Sequence, residues 1–309
     1  MVEQLTRNEQ VVGSSPTSGF LASEEATMPD LMNLLENCEL CPNFCRVNRL
    51  EGEKGRCRVG SEIVVSSTNL HYGEEPVLVG RGGSGTVFFT CCNLKCVFCQ
   101  NYDISQLDYG RSIDGRRLAE LMLTLQGQGA ENINLVTPTH QAPQIMNAVI
   151  DARRQGLKLP IVYNCGGYEN AQFLREIDGL VDIYMPDFKY GSNEAGEKYS
   201  GISAYTDHAQ DALREMHRQV GDLRTNSRDV ATRGLLVRHL VLPGDLAVSM
   251  AVIDFLADEI SRHTYLNIMD QYHPCYHADE YRQLIRRVFR SEVDDVVSYA
   301  RDKGMTNLL

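Results

Sequence analysis

From Thr86 onward the chain alternates short apolar runs with amphipathic stretches, and that alternation limits the fold more than any other feature. Strands are expected at 86–91, 132–137, 160–165, 181–187, 234–242 and 265–271. Helices are expected between them, at 114–126, 142–154, 170–177, 209–220 and 247–260. The helix at 114–126 carries Leu118, Leu121, Met122 and Leu125 on one face. Six strands in 186 residues is about 31 per unit, the size of a βα repeat. Such a repeat builds a parallel sheet, and the strands are apolar on both faces, as a sheet covered by helices requires. The expected fold class is therefore α/β, a partial (β/α)6 parallel barrel with a small cysteine-rich amino-terminal header. Sites in such folds sit at the carboxyl ends of the strands.

The rest of the chain frames this unit. Residues 1–28 are polar and aperiodic and read as a disordered tail, with Met28 a candidate natural start. Residues 29–80 read as a cysteine-rich amino-terminal segment: a short helix at 29–37, a Gly-rich cysteine loop, and strands at 62–69 and 75–80. Residues 81–309 read as the barrel, closed by helices near 278–290 and 291–303. The net charge is −11, which does not steer the chain onto nucleic acid or an anionic membrane. No apolar run approaches the ~18 residues of a membrane span, and no signal peptide opens the chain. A cytoplasmic protein is expected.

Eight of the ten cysteines fall between residues 38 and 99, in two groups. In a reducing cytosol clustered thiols read as metal or cluster ligands rather than disulfides. The second group follows the first barrel strand, as Cys91-Cys92-Asn93-Leu94-Lys95-Cys96-Val97-Phe98-Cys99. The spacing Cys92-x3-Cys96-x2-Cys99 lets three thiolates converge, which suits a 4Fe-4S cluster with one open iron. A structural zinc site wants four ligands, and the fourth is not evident. Cys91 is expected to point elsewhere.

This loop resembles that of the radical S-adenosylmethionine (SAM) superfamily, whose pattern is Cys-x3-Cys-x-aromatic-Cys at the end of the first barrel strand, with Phe98 as the aromatic. The resemblance implies a 4Fe-4S cluster on Cys92, Cys96 and Cys99. It also implies SAM chelated at the open iron, and reductive cleavage of SAM to methionine and a 5′-deoxyadenosyl radical that abstracts hydrogen from a substrate. An electron donor such as a flavodoxin or ferredoxin is implied as well.

Within that superfamily the strand ends resemble activating enzymes of the pyruvate formate-lyase type. A closer resemblance is to an uncharacterised branch, pyruvate formate-lyase activating enzyme-like, that carries the same amino-terminal cysteine group. Met185-Pro186-Asp187-Phe188-Lys189, Val237-Arg238-His239 through Pro243-Gly244, Gln271-Tyr272-His273 and Tyr163-Asn164-Cys165-Gly166-Gly167 carry the likeness. It implies cofactor-binding roles for Phe98, Thr137, Asn164 and Arg238, and catalytic candidates in Asp187, Lys189 and His273. Arg238 lies in an apolar strand, where a cation needs an anion, and the SAM carboxylate would serve. One departure stands out. Where those enzymes read Gly-Gly-Glu-Pro, with the Glu near the amino group of SAM, this chain reads Thr137-Pro138-Thr139-His140, so either Thr137, Thr139 or His140 takes the contact or the amino group is held differently. Cys165 and Cys275 read as buried small hydrophobes.

In the amino-terminal segment, Cys38-x2-Cys41-x3-Cys45-x11-Cys57 offers four thiolates within 20 residues. Tetrahedral zinc or a second Fe–S cluster would accept them, and unliganded thiols are the plain alternative. The expected function is a radical SAM enzyme, with a glycyl-radical protein as the implied partner and no nucleic-acid or membrane partner. The alternatives are radical modification of a small molecule or peptide, and a non-catalytic metal-binding scaffold.

Overall fold

The fold rests on nine strands in one sheet, seen in a computed structural model that describes residues 30–309. The proposed tail, and Pro29 of the first helix, lie outside the described residues. In chain order the elements are β1 (Ile63–His71), α1 (Pro76–Val79), β2 (Ser84–Phe89), α2 (Tyr102–Ser105), β3 (Arg111–Ile113), α3 (Gly115–Gly127), β4 (Ile133–Val136), α4 (Ala142–Arg154), β5 (Ile161–Cys165), α5 (Ala171–Glu176), β6 (Ile183–Pro186), α6 (Asn193–Ser200), α7 (Tyr205–Val220), β7 (Arg224–Thr225), β8 (Ala231–Leu240), α8 (Ser249–Phe255), β9 (Tyr265–Met269) and α9 (Arg290–Asp302).

Six strands run parallel in the order β2-β4-β5-β6-β8-β9, and the sheet is not closed into a barrel. This is the α/β fold expected from the repeat. On its other side β2 carries β1 antiparallel, with His71 opposite Ser84, and β3 pairs beyond β1. Leu31–Leu309 form one compact unit.

Strand alternation divides the core. Along β5, Ile161, Tyr163 and Cys165 face the helices, while Val162 joins Ile183, Met185 and Leu236 on the inner face. Leu78 of α1 completes that inner cluster and is fully buried. Residues 75–80, expected as a strand, are instead this one-turn helix, whose Leu78 carbonyl accepts from Asn132 Nδ2 at 2.7 Å. Pro76 suits a helix start, and a short apolar run does not distinguish strand from helix by periodicity.

Two other expectations are corrected. The helix at 29–37 is a 3-10 turn, Leu31–Leu35, burying Leu31 and Leu35. The helix at 278–290 is replaced by 3-10 turns at Ala278–Glu280 and Arg282–Leu284. Tertiary contacts override propensity there. Tyr281 is extended and packs its ring on Tyr199 at 5.6 Å, and the Tyr272 hydroxyl donates to the Leu284 carbonyl at 2.7 Å.

Candidate functional site

The carboxyl end of β2 delivers the cysteine loop. Cys91 takes a left-handed backbone (φ 71°), which turns its side chain away from that of Cys92. Its sulfur meets Asp108 Oδ1 at 3.0 Å, and burial pushes the thiol up to about 12. Past it the loop lies along the end of α6. Lys95 N donates to Ser200 O at 3.1 Å, Val97 N donates to Tyr199 O at 2.9 Å, and His277 N donates to Val97 O at 2.9 Å. The three remaining sulfurs each have a polar neighbour. Cys92 Sγ accepts from Leu94 N at 3.4 Å, Cys96 Sγ lies 3.0 Å from Ser200 Oγ, and Cys99 Sγ lies 3.2 Å from Ser105 Oγ. Burial pushes the Cys92 and Cys96 thiols above their ordinary range. Lys189 is the cation within electrostatic reach of all three.

Phe98 is buried, with its ring edge-on to Tyr190 at 6.4 Å and to Tyr272 at 5.9 Å. His273 sits half-buried at the rim, its Nδ1 3.3 Å from Gln100 Nε2 in the same cysteine loop.

A charged chain runs along the inner face of the strand ends. Lys189 Nζ donates to Asp187 Oδ2 at 2.7 Å, and Arg238 Nε donates to Asp187 Oδ1 at 2.8 Å. Arg238 Nη2 donates to Asn164 Oδ1 at 2.9 Å, and Nη1 pairs with Glu74 at 3.2 Å. Burial alone would neutralise these groups, but each is outweighed by its partner: Asp187 is held below its ordinary range and Lys189 and Arg238 above theirs. The cation in the strand therefore has two protein carboxylates, and its need for an exogenous anion, the premise that pointed to the SAM carboxylate, is met by the fold. Glu74 comes from the β1–α1 turn, 164 residues away. Beside it Glu75 is buried and accepts two bonds from Asn267 Nδ2, both at 2.9 Å.

After β4, Thr137 lies beside Asn164. It is a β-branched residue in the left-handed region (φ 59°), a strained placement, and its N–H donates to Asn164 O at 2.8 Å. Thr139 and His140 are buried and turned away. Thr139 Oγ1 donates to Glu169 at 2.7 Å, and His140 Nε2 lies 2.7 Å from Thr90 O. Burial pushes the His140 imidazole down to about 4. Of the two leftover cysteines, Cys165 is buried and Cys275 is half-exposed.

Glu169 was not singled out from the sequence, although it follows a strand end and the pair Gly166-Gly167. It is fully buried, takes bonds from Thr139 and from the Tyr163 hydroxyl at 3.2 Å, and pairs with no cation among the described residues. Burial raises its carboxyl to about 8. Because the folded value lies above the unfolded one, the folded state is favoured below about pH 4.5 and loses that advantage as pH climbs through about 8. The full swing is on the order of 4–5 kcal/mol. Glu169→Gln is expected to flatten this loss and to raise Tm above that of the wild type at pH 8–9. Thermal melts across pH 5–9 check it, and parallel curves for the two proteins would show the carboxyl to be hydrated.

The amino-terminal segment docks beside this loop. Asn43 Nδ2 donates to Asn93 O at 2.9 Å, Asn93 Nδ2 donates to Tyr168 O at 2.8 Å, and Arg56 donates to Gly201 O. Among the described residues, no group of three or more His, Cys, Asp or Glu side chains is gathered into a ready single-ion site. At the triad the donor set is three thiols on one loop, sulfur-directed hydroxyls and a nearby ammonium. That fits a cluster with an open iron better than a zinc ion, which takes four sulfurs at ~2.3 Å. Among the described residues no helix is long and apolar enough to cross a membrane.

Comparison with known proteins bears on the family. The model of the Radical SAM superfamily matches residues 86–234, from β2 into β8. The uncharacterized protein MJ0674 of Methanocaldococcus jannaschii is 32% identical over 278 residues, covering 87% of this chain and 75% of that protein. Among solved structures, Streptococcus suis SuiB bound to precursor peptide SuiA is 10% identical, with a TM-score of 0.48 over 71% of this chain and 46% of SuiB. HydG from Carboxydothermus hydrogenoformans is 11% identical, with a TM-score of 0.45 over 71% of this chain and 50% of HydG. The chain thus spans about half the length of these two structures, and at such scores they add no weight. On the family match and the M. jannaschii relative, this chain belongs to the radical SAM superfamily.

Proposed function

We propose that this chain is an activating-type radical SAM enzyme, with Cys92, Cys96 and Cys99 as the ligands of its 4Fe-4S cluster. The family implies both the cluster and SAM. When bound, such a cluster supplies one electron that splits SAM into methionine and a 5′-deoxyadenosyl radical. The observation that carries the reading is the donor set: three sulfurs on one pinned loop at the carboxyl end of β2, each with a hydrogen-bonding neighbour.

The chain's own residues have assignable tasks. The Ser200 and Ser105 hydroxyls and the Leu94 N–H hold the sulfurs, and hydrogen bonds to sulfur tune such a centre. Lys189 balances thiolate charge. Asn164 and Arg238, with Thr137 beside them, form the polar wall on which SAM would rest. Phe98, wedged between Tyr190 and Tyr272, keeps water from the loop's inner side. His273 stands at the mouth, where a substrate would enter. Cys38, Cys41, Cys45 and Cys57 are read as a second metal site.

The strand-end segments around Asp187, Arg238 and His273 support the activating-enzyme reading, in which the hydrogen comes from a glycine of a partner protein and the electron from a flavodoxin or ferredoxin. The test is anaerobic incubation of reduced, reconstituted protein with SAM, first alone and then with a glycyl-radical protein from the same genome. Formation of 5′-deoxyadenosine is expected in both, with a glycyl radical signal in the partner. No 5′-deoxyadenosine overturns the enzyme reading. Its formation without a protein radical overturns the activase and favours a small-molecule or peptide substrate.

A further inference from the structure

Arg49, in the amino-terminal segment, is buried to 1% exposure yet has no carboxylate within ion-pairing distance among the described residues. Its Nε and Nη2 donate to Gly60 O at 3.0 and 2.5 Å, and Nη1 donates to His140 O at 2.7 Å. These carbonyls satisfy the donors but leave the positive charge unbalanced, and a buried charge without a counter-charge is expensive. The remaining partner is a sulfur: Nη1 lies 3.8 Å from Cys38 Sγ.

Cys38 is one of four thiols sharing this corner. Cys57 lies within electrostatic reach of Arg49, Cys38 and Cys45, and Cys41 within that of Cys57. Gly55 packs so closely on Cys45 that a Cβ there would stand 2.7 Å from its sulfur, so the loop is shaped around the thiol. Further donors point at sulfur: Arg56 N to Cys45 Sγ at 3.3 Å and Asn43 Nδ2 to Cys41 Sγ at 3.5 Å. Four neutral thiols need neither these donors nor a buried guanidinium.

We propose that Cys38, Cys41, Cys45 and Cys57 bind a metal as a four-thiolate centre of net negative charge, and that Arg49 is its buried counter-cation. This deepens the reading of these cysteines as a second metal site and stands apart from the chemistry at the triad. Binding releases the four thiol protons. Four thiolates around one Zn²⁺ carry a net charge of about −2, and so do four thiolates around an oxidised 4Fe-4S core, so the same counter-charge serves either. The four sulfurs share a corner without forming a ready single-ion site, so binding includes closing the loop around the metal.

The test uses the full chain carrying Cys92→Ala, Cys96→Ala and Cys99→Ala, so that every metal counted belongs to the amino-terminal cysteines and failure at the triad cannot be mistaken for failure here. One sample is reconstituted anaerobically with iron and sulfide, another with zinc alone. About four irons or about one zinc per chain is expected, and the stoichiometry identifies the metal. Adding Cys38→Ser and Cys57→Ser is expected to remove it. A chain that binds neither overturns the site. Arg49→Met is expected to weaken binding of this metal by about tenfold or more in competition with a chelator, the scale of a lost charge-assisted contact, while Arg49→Lys keeps most of the affinity. A folded Arg49→Met protein with undiminished affinity overturns the counter-charge role. Should Arg49→Met not fold, Arg49→Lys decides, because a folded Arg49→Lys protein that releases the metal overturns the same role.

Discussion

Replacing Cys92, Cys96 and Cys99 together with Ala is expected to reduce 5′-deoxyadenosine formation to the level of a protein-free control, the largest functional effect of any change in this chain. On the proposed assignment these three sulfurs are the cluster's protein ligands, so their loss removes the cluster. The fold is expected to survive. The loop is held by backbone bonds from Lys95 and Val97 to α6 and from His277 back to Val97, none of which involves a thiol. Phe98 stays wedged between Tyr190 and Tyr272. Product analysis under anaerobic reduction, with circular dichroism as the control for folding, checks both halves. Residual cleavage by the triple variant would place the cluster on other cysteines.

Arg238→Ala is expected to cost about 3–5 kcal/mol of stability, the range for breaking a buried ion pair from one side. Its partners make the cost high. Asp187 would keep Lys189 as its ion-pair partner, and Glu74 would keep the Asn134 amide at 3.0 Å and the Glu75 N–H at 3.3 Å but no cation. Both carboxylates would remain in a site whose side chains are 11–20% exposed. The pH dependence has a definite sign. Asp187 is held below its ordinary value of 3.8, so its contribution is present above about pH 4 and is lost as pH falls through the lower folded value. Arg238→Ala should therefore unfold earlier in denaturant at neutral pH, with the gap to wild type narrowing on acidification. Combining it with Glu74→Gln and Asp187→Asn should recover part of the loss. A cost under ~1 kcal/mol would mean that the pair is solvated and the network is ornamental to the fold.

The alternation of strands and helices from Thr86 on was readable because each element is encoded locally, by period, by length and by the turn that ends it. The cysteine triad was readable for the same reason: its three ligands span eight residues, so spacing alone carries their geometry. The amino-terminal cysteines were visible too, but not the cation among them. Arg49 gains its meaning from His140 O and Gly60 O, the first of them 91 residues distant. Glu74 sits in a turn that looked like the approach to a strand, and only the antiparallel docking of β1 on β2 brings it beneath Arg238 on β8. Glu169 takes its bonds from Tyr163 on β5 just before it and from Thr139 after β4, 30 residues away. Local sequence sets backbone preference and ligand spacing. Which charge balances which depends on strand order and register, which bring together residues far apart in the chain, and tertiary structure alone decides that.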